Sequence, residues 1–152
     1  FSIPRISQLT LKTNQFNLTT KRYQEEEVSK FSSSDNKIVE CVQVNDKFGD
    51  NGITGVYIIE KENDNEWIID TFLLSCRIIG RGVEEVMMNQ IIEKAKLSGI
   101  KRIKGEFIPT TKNKPAENFY EKIGFKKEDK FWVFNMEDKI KKPEHIKVMK
   151  NE

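Results

Sequence analysis

The chain has 152 residues, enough for one domain with a sizeable core and too few for two. With 37% hydrophobic and 33% charged residues it is a heavily solvated globular sequence, not a disordered one. Twenty-six Lys and Arg against 24 Asp and Glu leave a formal charge of +2, too balanced to point to nucleic acid or an anionic membrane.

No apolar run approaches the roughly 20 residues that span a bilayer. The start, Phe1-Ser2-Ile3-Pro4-Arg5, has no initiating Met, basic flank or apolar signal core, and reads as a piece cut from a longer chain. Cys41 and Cys76 have no CxxC partners, so neither a disulfide framework nor a structural zinc site is expected. The one histidine, His145, sits in a charged tail, which excludes a multi-histidine metal centre and a triad built on a central His. The expectation is a soluble, cytoplasmic domain without a metal.

In chain order, Ile6, Leu9, Thr13 and Phe16 share one helical face, and no Pro or Gly interrupts residues 5–18, so a short helix is predicted there. Tyr23-Gln24-Glu25-Glu26-Glu27-Val28 reads as a second helix start with acidic residues in its first turn, and Ser32–Asn36 breaks it. Ile38–Val44, Ile53–Glu60 and Trp67–Leu74 are strand-like and joined by polar turns, with a longer hairpin loop over Asp46–Gly52. Three such strands predict an antiparallel meander. Val83–Leu97 carries an apolar stripe of Val83, Val86, Met87, Ile91 and Ala95, and Gly99 is placed to end that helix. Ile100–Ile108 returns to strand, Pro115–Ile123 is a shorter helix, and Phe131–Met136 is a last strand. The order helix, β, β, β, α, β, α, β predicts an α/β (α+β) domain, a mixed and mostly antiparallel sheet flanked by helices, without Rossmann alternation.

The sharpest chemical signal is Arg77-Ile78-Ile79-Gly80-Arg81-Gly82, between a strand and the best-patterned helix. Glycines there let backbone N–H groups face outward, and the helix N-terminus adds positive potential; together they make an anion cradle that Arg77 and Arg81 reinforce. A turn that merely needs glycine is the plainer alternative.

The Arg-x-x-Gly-x-Gly loop, followed by a helix, a strand and Asn118-Phe119-Tyr120-Glu121-Lys122-Ile123-Gly124-Phe125, resembles the GNAT acyltransferase superfamily over about residues 16–136. The resemblance implies that Arg77, Ile79, Gly80, Arg81 and Gly82 grip the pyrophosphate of coenzyme A, and that the Tyr120 helix lies beside the pantetheine arm. A closer resemblance, to the C-terminal region of FkbH-like proteins, rests on four blocks: Gln8–Thr20, Phe48–Gly52, Asp70–Arg77 and Gly105–Thr110. Those proteins join a HAD-type phosphatase to a GNAT-like domain and are associated with loading a glyceryl unit onto an acyl carrier protein, toward methoxymalonyl-type units. No Asp-x-Asp phosphatase motif occurs here, so the HAD half is absent from this sequence. The resemblance divides the chain into residues 1–15, a helical segment leading from an upstream domain; residues 16–136, the GNAT-like domain; and residues 137–152, a charged tail.

Three catalytic candidates follow. Cys76, beside Arg77 and a helix N-terminus, is placed to form a reactive thiolate and carry a glyceryl thioester; its alternative is a small packing residue. Tyr120 matches the tyrosine many GNAT members use as general acid toward a leaving thiolate, with core packing as the alternative. Glu106 is placed for a general base or a substrate-orienting carboxylate, or for plain solvent exposure. Asn113 is a candidate hydrogen-bond partner for a pantetheine amide, or an ordinary turn residue. Cys41 reads as core, the Asn17-Leu18-Thr19 sequon as chance, and Asp70 as either an orienting partner of Arg77 or a strand-end residue that satisfies backbone donors.

The function the resemblance implies is acyl transfer, of a glyceryl unit, to an acyl carrier protein, using coenzyme A, acetyl-CoA or phosphopantetheine. Two alternatives stay open: an inactive carrier-docking module, and an N-acetyltransferase acting on an amine.

Overall fold

The computed structural model describes residues 2–46, 49–75, 79–80 and 82–137. Helix α1 (Ile3–Lys12) opens with Ser2 as N-cap and Pro4 in its first turn, both strong starting signals. It stops six residues before the predicted end. Phe16 is not on its face but begins a short strand, β1 (Phe16–Asn17). Helix α2 (Glu25–Ser32) starts with a capping box between Gln24 and Glu27.

The predicted meander is present as β2 (Lys37–Asp46), β3 (Gly49–Asn63) and β4 (Glu66–Leu74). The ladder between β2 and β3 continues to Asp46 opposite Gly49, so the connection is much tighter than the loop expected over Asp46–Gly52. Helix α3 (Val83–Leu97) has the predicted bounds. Strand β5 (Arg102–Glu106) follows. The short helix predicted over Pro115–Ile123 is divided into a 3-10 turn, Lys114–Ala116, and a single-turn helix, α4 (Phe119–Lys122). Strands β6 (Lys126–Glu128) and β7 (Phe131–Asn135) close the fold; β6 is too short and too charged to carry a strand pattern.

The strands form one sheet in the order β2-β3-β4-β5-β7-β6, antiparallel except for the β4–β5 pair. Alternation along β3 separates two cores. Tyr57 and Ile59 pack with Met87, Ile91 and Tyr120 under α3 and α4, whereas Val56 and Ile58 pack with Ile6, Leu9 and Val28 under α1 and α2. The first helix therefore belongs to this body through Ile6 and Leu9, both buried.

The parallel pair is short. It runs from Glu66 opposite Arg102 to Ile69 opposite Gly105 and goes no further. At the next residue β4 has a bulge: Ile59 faces Ile69 and Ile58 faces Thr71, leaving Asp70 as the extra residue. A bulge bends its strand and sharpens the twist, and here it coincides with the parting of β4 from β5.

Strand β1 lies in that parting. Phe16 and Asn17 pair antiparallel with Leu74 and Leu73. The Leu18 amide donates to the Phe72 carbonyl over 3.2 Å, and the Ile108 amide donates to the Leu18 carbonyl over 2.9 Å. Residues 16–18 thus bridge both lips, with Phe16 and Leu18 buried in the α3–α4 core. Truncating such a side chain removes apolar burial and leaves a cavity. Leu18→Ala should therefore destabilise the protein by roughly 2–5 kcal/mol, while Leu97→Ala, at a position 88% exposed, should stay within about 0.5 kcal/mol. Urea midpoints of the two variants measure the contrast.

Candidate active site

The turn before α3 is retained as far as it is described. Gly80 and Gly82 have φ of +82° and +83°, a left-handed conformation that any side chain would strain, so both glycines are required by the backbone. Gly82 is the N-cap of α3 and, being glycine, supplies no side-chain cap. Ile79 is half-buried and packs against the α3–α4 core, so it anchors the turn. Cys76, Arg77, Ile78 and Arg81 lie outside the described residues.

Two carboxylates occupy the first turn of α3. Glu85 is half-exposed; Glu84 is buried, and one of its oxygens has no hydrogen-bond partner. Burial raises its carboxyl above the ordinary value, and its own backbone amide and the Lys122 charge only partly offset this. Glu84 was not a sequence candidate, because acidic residues in a first turn normally serve the helix dipole from solvent.

Tyr120 is 1% exposed, and its hydroxyl has no hydrogen-bond partner. The phenol lies directly against Gly105, leaving no room for a Cβ there. Gly105 is the last β5 residue paired with β4, so the hydroxyl stands at the crotch of the parting, on the α3–α4 side. Its ring packs on Phe119, Phe125 and Trp132 at centroid distances of 5.8, 5.0 and 6.5 Å. Burial, with the charge of Glu106 added, pushes the phenol far up, so it keeps its proton throughout the accessible pH range. Glu106 is the next residue of β5 and half-buried; alternation turns it to the opposite face from Tyr120.

Asn113 is fully buried and its amide is spent inside the protein. Its Nδ2 donates to the Asn17 and Ile108 carbonyls at 3.0 and 2.9 Å, and its Oδ1 accepts from the Thr110 amide at 2.7 Å. It ties β1 to the loop after β5, and its own amide donates to Thr110 Oγ1 at 3.1 Å, the turn role given above as its alternative. Asn17 is equally engaged: it donates to the Thr13 carbonyl and accepts from the Thr20 amide, so its sequon is inaccessible.

Arg77, the expected partner of Asp70, lies outside the described residues. Among the described residues the Asp70 carboxylate accepts from Lys21 Nζ at 3.1 Å, the Tyr23 hydroxyl at 2.7 Å and Thr71 Oγ1 at 2.9 Å. The Asp70 carbonyl accepts from Thr19 Oγ1 at 2.8 Å. Arg22 then ties the same segment to the Thr10 and Thr13 carbonyls at the end of α1. The bulge residue thus holds residues 19–23, and through them β1, against the sheet. Among the described residues no cluster of His, Cys, Asp or Glu could hold a metal, and no helix is long and apolar enough to cross a membrane.

A mixed sheet with a parted parallel pair, a glycine turn at the head of the longest helix and a buried tyrosine at the crotch define an acyltransferase-type fold. The model of the Acetyltransferase (GNAT) family matches residues 4–125, and the chain belongs to that family. Solved structures agree on the fold. The ribosomal-protein-S18-alanine N-acetyltransferase from Escherichia coli superposes with a TM-score of 0.65 at 11% identity, over 96% of this chain and 93% of that one. Rv2747 from Mycobacterium tuberculosis, in complex with CoA and NLQ, gives 0.64 at 13% identity, over 84% and 68%. An aminoglycoside 6'-N-acetyltransferase complexed with coenzyme A gives 0.58 at 13%, over 79% and 82%. No curated protein sequence matches the chain.

Glu84 carries a prediction with a definite sign. A carboxyl whose folded pKa lies above its ordinary 4.5 binds its proton more tightly when folded, so it costs stability progressively as pH rises through and beyond that value. Glu84→Gln should therefore raise the melting temperature at pH 7 and leave it nearly unchanged at pH 4. A melting series across that range measures it.

Proposed function

We propose that this chain is a GNAT acyltransferase domain that binds coenzyme A or a carrier-protein phosphopantetheine and takes part in moving an acyl group, of glyceryl type, to an acyl carrier protein. The observation that carries the reading is the Tyr120 hydroxyl. A phenol that is buried, protonated and without a partner at the crotch of the β4–β5 parting lacks the acceptor that almost every buried hydroxyl has. The sulfur of a pantetheine arm fits that vacancy in hydrogen-bonding terms.

The residues present fit the group in a second respect. Left-handed Gly80 and Gly82 set the turn at the head of α3, where the N-cap has no side chain to bond the first amides and a diphosphate is stabilised by the helix end. When bound, the thioester supplies the activated acyl group. Tyr120 holds the proton that a departing thiolate takes up, and its aromatic neighbours exclude water. Glu106, the next residue of the same strand after Gly105 and turned to the opposite face, is the proposed acceptor of a proton from a group approaching that face. Cys76 is the proposed site of a covalent glyceryl thioester, with Arg77 and Arg81 as partners of the diphosphate. The glyceryl and carrier-protein assignments, the cytoplasmic setting and an upstream HAD-type phosphatase domain rest on the resemblance to FkbH-like proteins.

One observation favours a second reading, a carrier-protein docking module without chemistry of its own. Strand β1 fills the parting that a ligand arm would enter.

Tyr120→Phe separates the two. Under transfer chemistry it should lower the rate by about 100-fold or more while leaving the melting temperature unchanged or higher, since it deletes an unpaired buried hydroxyl. Single-turnover transfer from a thioester donor measures the rate. Intact mass after incubation with a glyceryl donor and carrier protein should show an adduct that Cys76→Ser loses. A docking module would show neither effect and would still bind the carrier.

A further inference from the structure

We propose that residues Phe16–Thr19 are a gate: a strand of the chain itself that occupies the arm-binding cleft and must withdraw before a pantetheine group reaches Tyr120. The inference rests on the reading above and adds a regulation of the same site.

Its basis is a competition for one set of backbone groups. An arm gripped at the turn before α3 and lying beside the α4 helix has to cross the C-terminal half of β4. There the Phe72 carbonyl already accepts from the Leu18 amide at 3.2 Å, and Leu74 and Leu73 are paired with Phe16 and Asn17. The side chains compete as well. Phe16 lies edge-on to Phe119 at 5.3 Å, and Phe119 is the residue before Tyr120 on α4. An extended amide-bearing arm makes the same kind of strand-like hydrogen bonds as β1, so the cleft holds one or the other.

The gate has an identifiable latch. β1 itself is only two residues long. The next residues hold it through Thr19 Oγ1 on the Asp70 carbonyl at 2.8 Å, Lys21 on Asp70 Oδ1 at 3.1 Å and the Tyr23 hydroxyl on Asp70 Oδ2 at 2.7 Å. Lys21 is exposed along almost half its side chain, at 45%, so this ion pair lies where solvent and a partner protein reach it. Thr20, between them, has a φ of +54°, a conformation a β-branched residue rarely adopts and one that marks a pivot in the backbone. A closed gate lowers apparent affinity by the fraction of molecules that are open.

The test uses coenzyme A itself as the probe, with hydrogen exchange and calorimetry on the whole chain. In the wild type, saturating coenzyme A should speed exchange of the Leu18 amide by about tenfold or more, while amides of β3 keep their protection. The variant Thr19→Val with Tyr23→Phe weakens the latch and alters no residue of the turn or of α4. It should bind coenzyme A at least about tenfold more tightly than wild type. If coenzyme A binds and the Leu18 amide stays protected, the gate is overturned and the binding site stands. If the weakened latch leaves affinity unchanged in a variant that still melts cooperatively, the gate is likewise overturned. If neither protein binds coenzyme A at millimolar concentration, the binding reading fails and takes the gate with it.

Discussion

The bulge at Asp70 is the constraint from which the rest of the molecule follows. A parallel pair that continued past Ile69 and Gly105 would give a closed sheet with no place for a ligand or for β1. One extra residue in β4 turns the strand away from β5 and opens the sheet. The same residue holds what fills the opening, because its carboxylate collects Lys21, Tyr23 and Thr71 while its carbonyl takes Thr19. Tyr23 responds in kind: burial first, and the hydrogen bond to Asp70 second, raise its phenol well above the ordinary range. Asp70 therefore both creates the cleft and occupies it by proxy.

Around that cleft the two faces of the sheet do different work. The α3–α4 face is aromatic and dry, with Phe16, Phe72, Phe119, Tyr120 and Phe125 in one cluster, which keeps the Tyr120 proton in place. The opposite face is apolar under α1 and α2 and carries charge where β4 meets β5. Burial alone would raise the Glu66 carboxyl, yet hydrogen bonds from Arg102 and Lys104, at 2.6 and 3.1 Å for the closest atoms, hold it below the usual carboxylate value. Arg102 and Lys104 also line a cavity of about 500 Å³ with Lys130 and Phe131 on that side.

Much of the fold was legible because its signals are local. The stripe from Val83 to Ala95 and the following Gly99 are enough to set α3, and three β-branched runs set the meander. The Gly80 and Gly82 turn was legible as a motif, since a left-handed turn needs glycine whatever surrounds it. What was hidden depends on distant partners. Phe16 stands at helical spacing from Ile6, Leu9 and Thr13, and only Leu73 and Leu74, more than fifty residues away, make it a strand. The turn role of Asn113 was legible, but nothing nearby shows that the Asn17 and Ile108 carbonyls take its side-chain amide. The Asp70 bulge has no sequence signature of its own: the count of residues in β4 is unremarkable until it is set against β3.

The central claim is that a phosphopantetheine-bearing group binds with its diphosphate at the head of α3 and its sulfur at Tyr120. A structure of the chain determined with coenzyme A tests this most directly. The account predicts the diphosphate on the amides following Gly80, the sulfur within hydrogen-bonding distance of the Tyr120 hydroxyl, and residues 16–18 detached from Phe72. Coenzyme A bound elsewhere, with β1 still joined to both lips of the sheet, would contradict it.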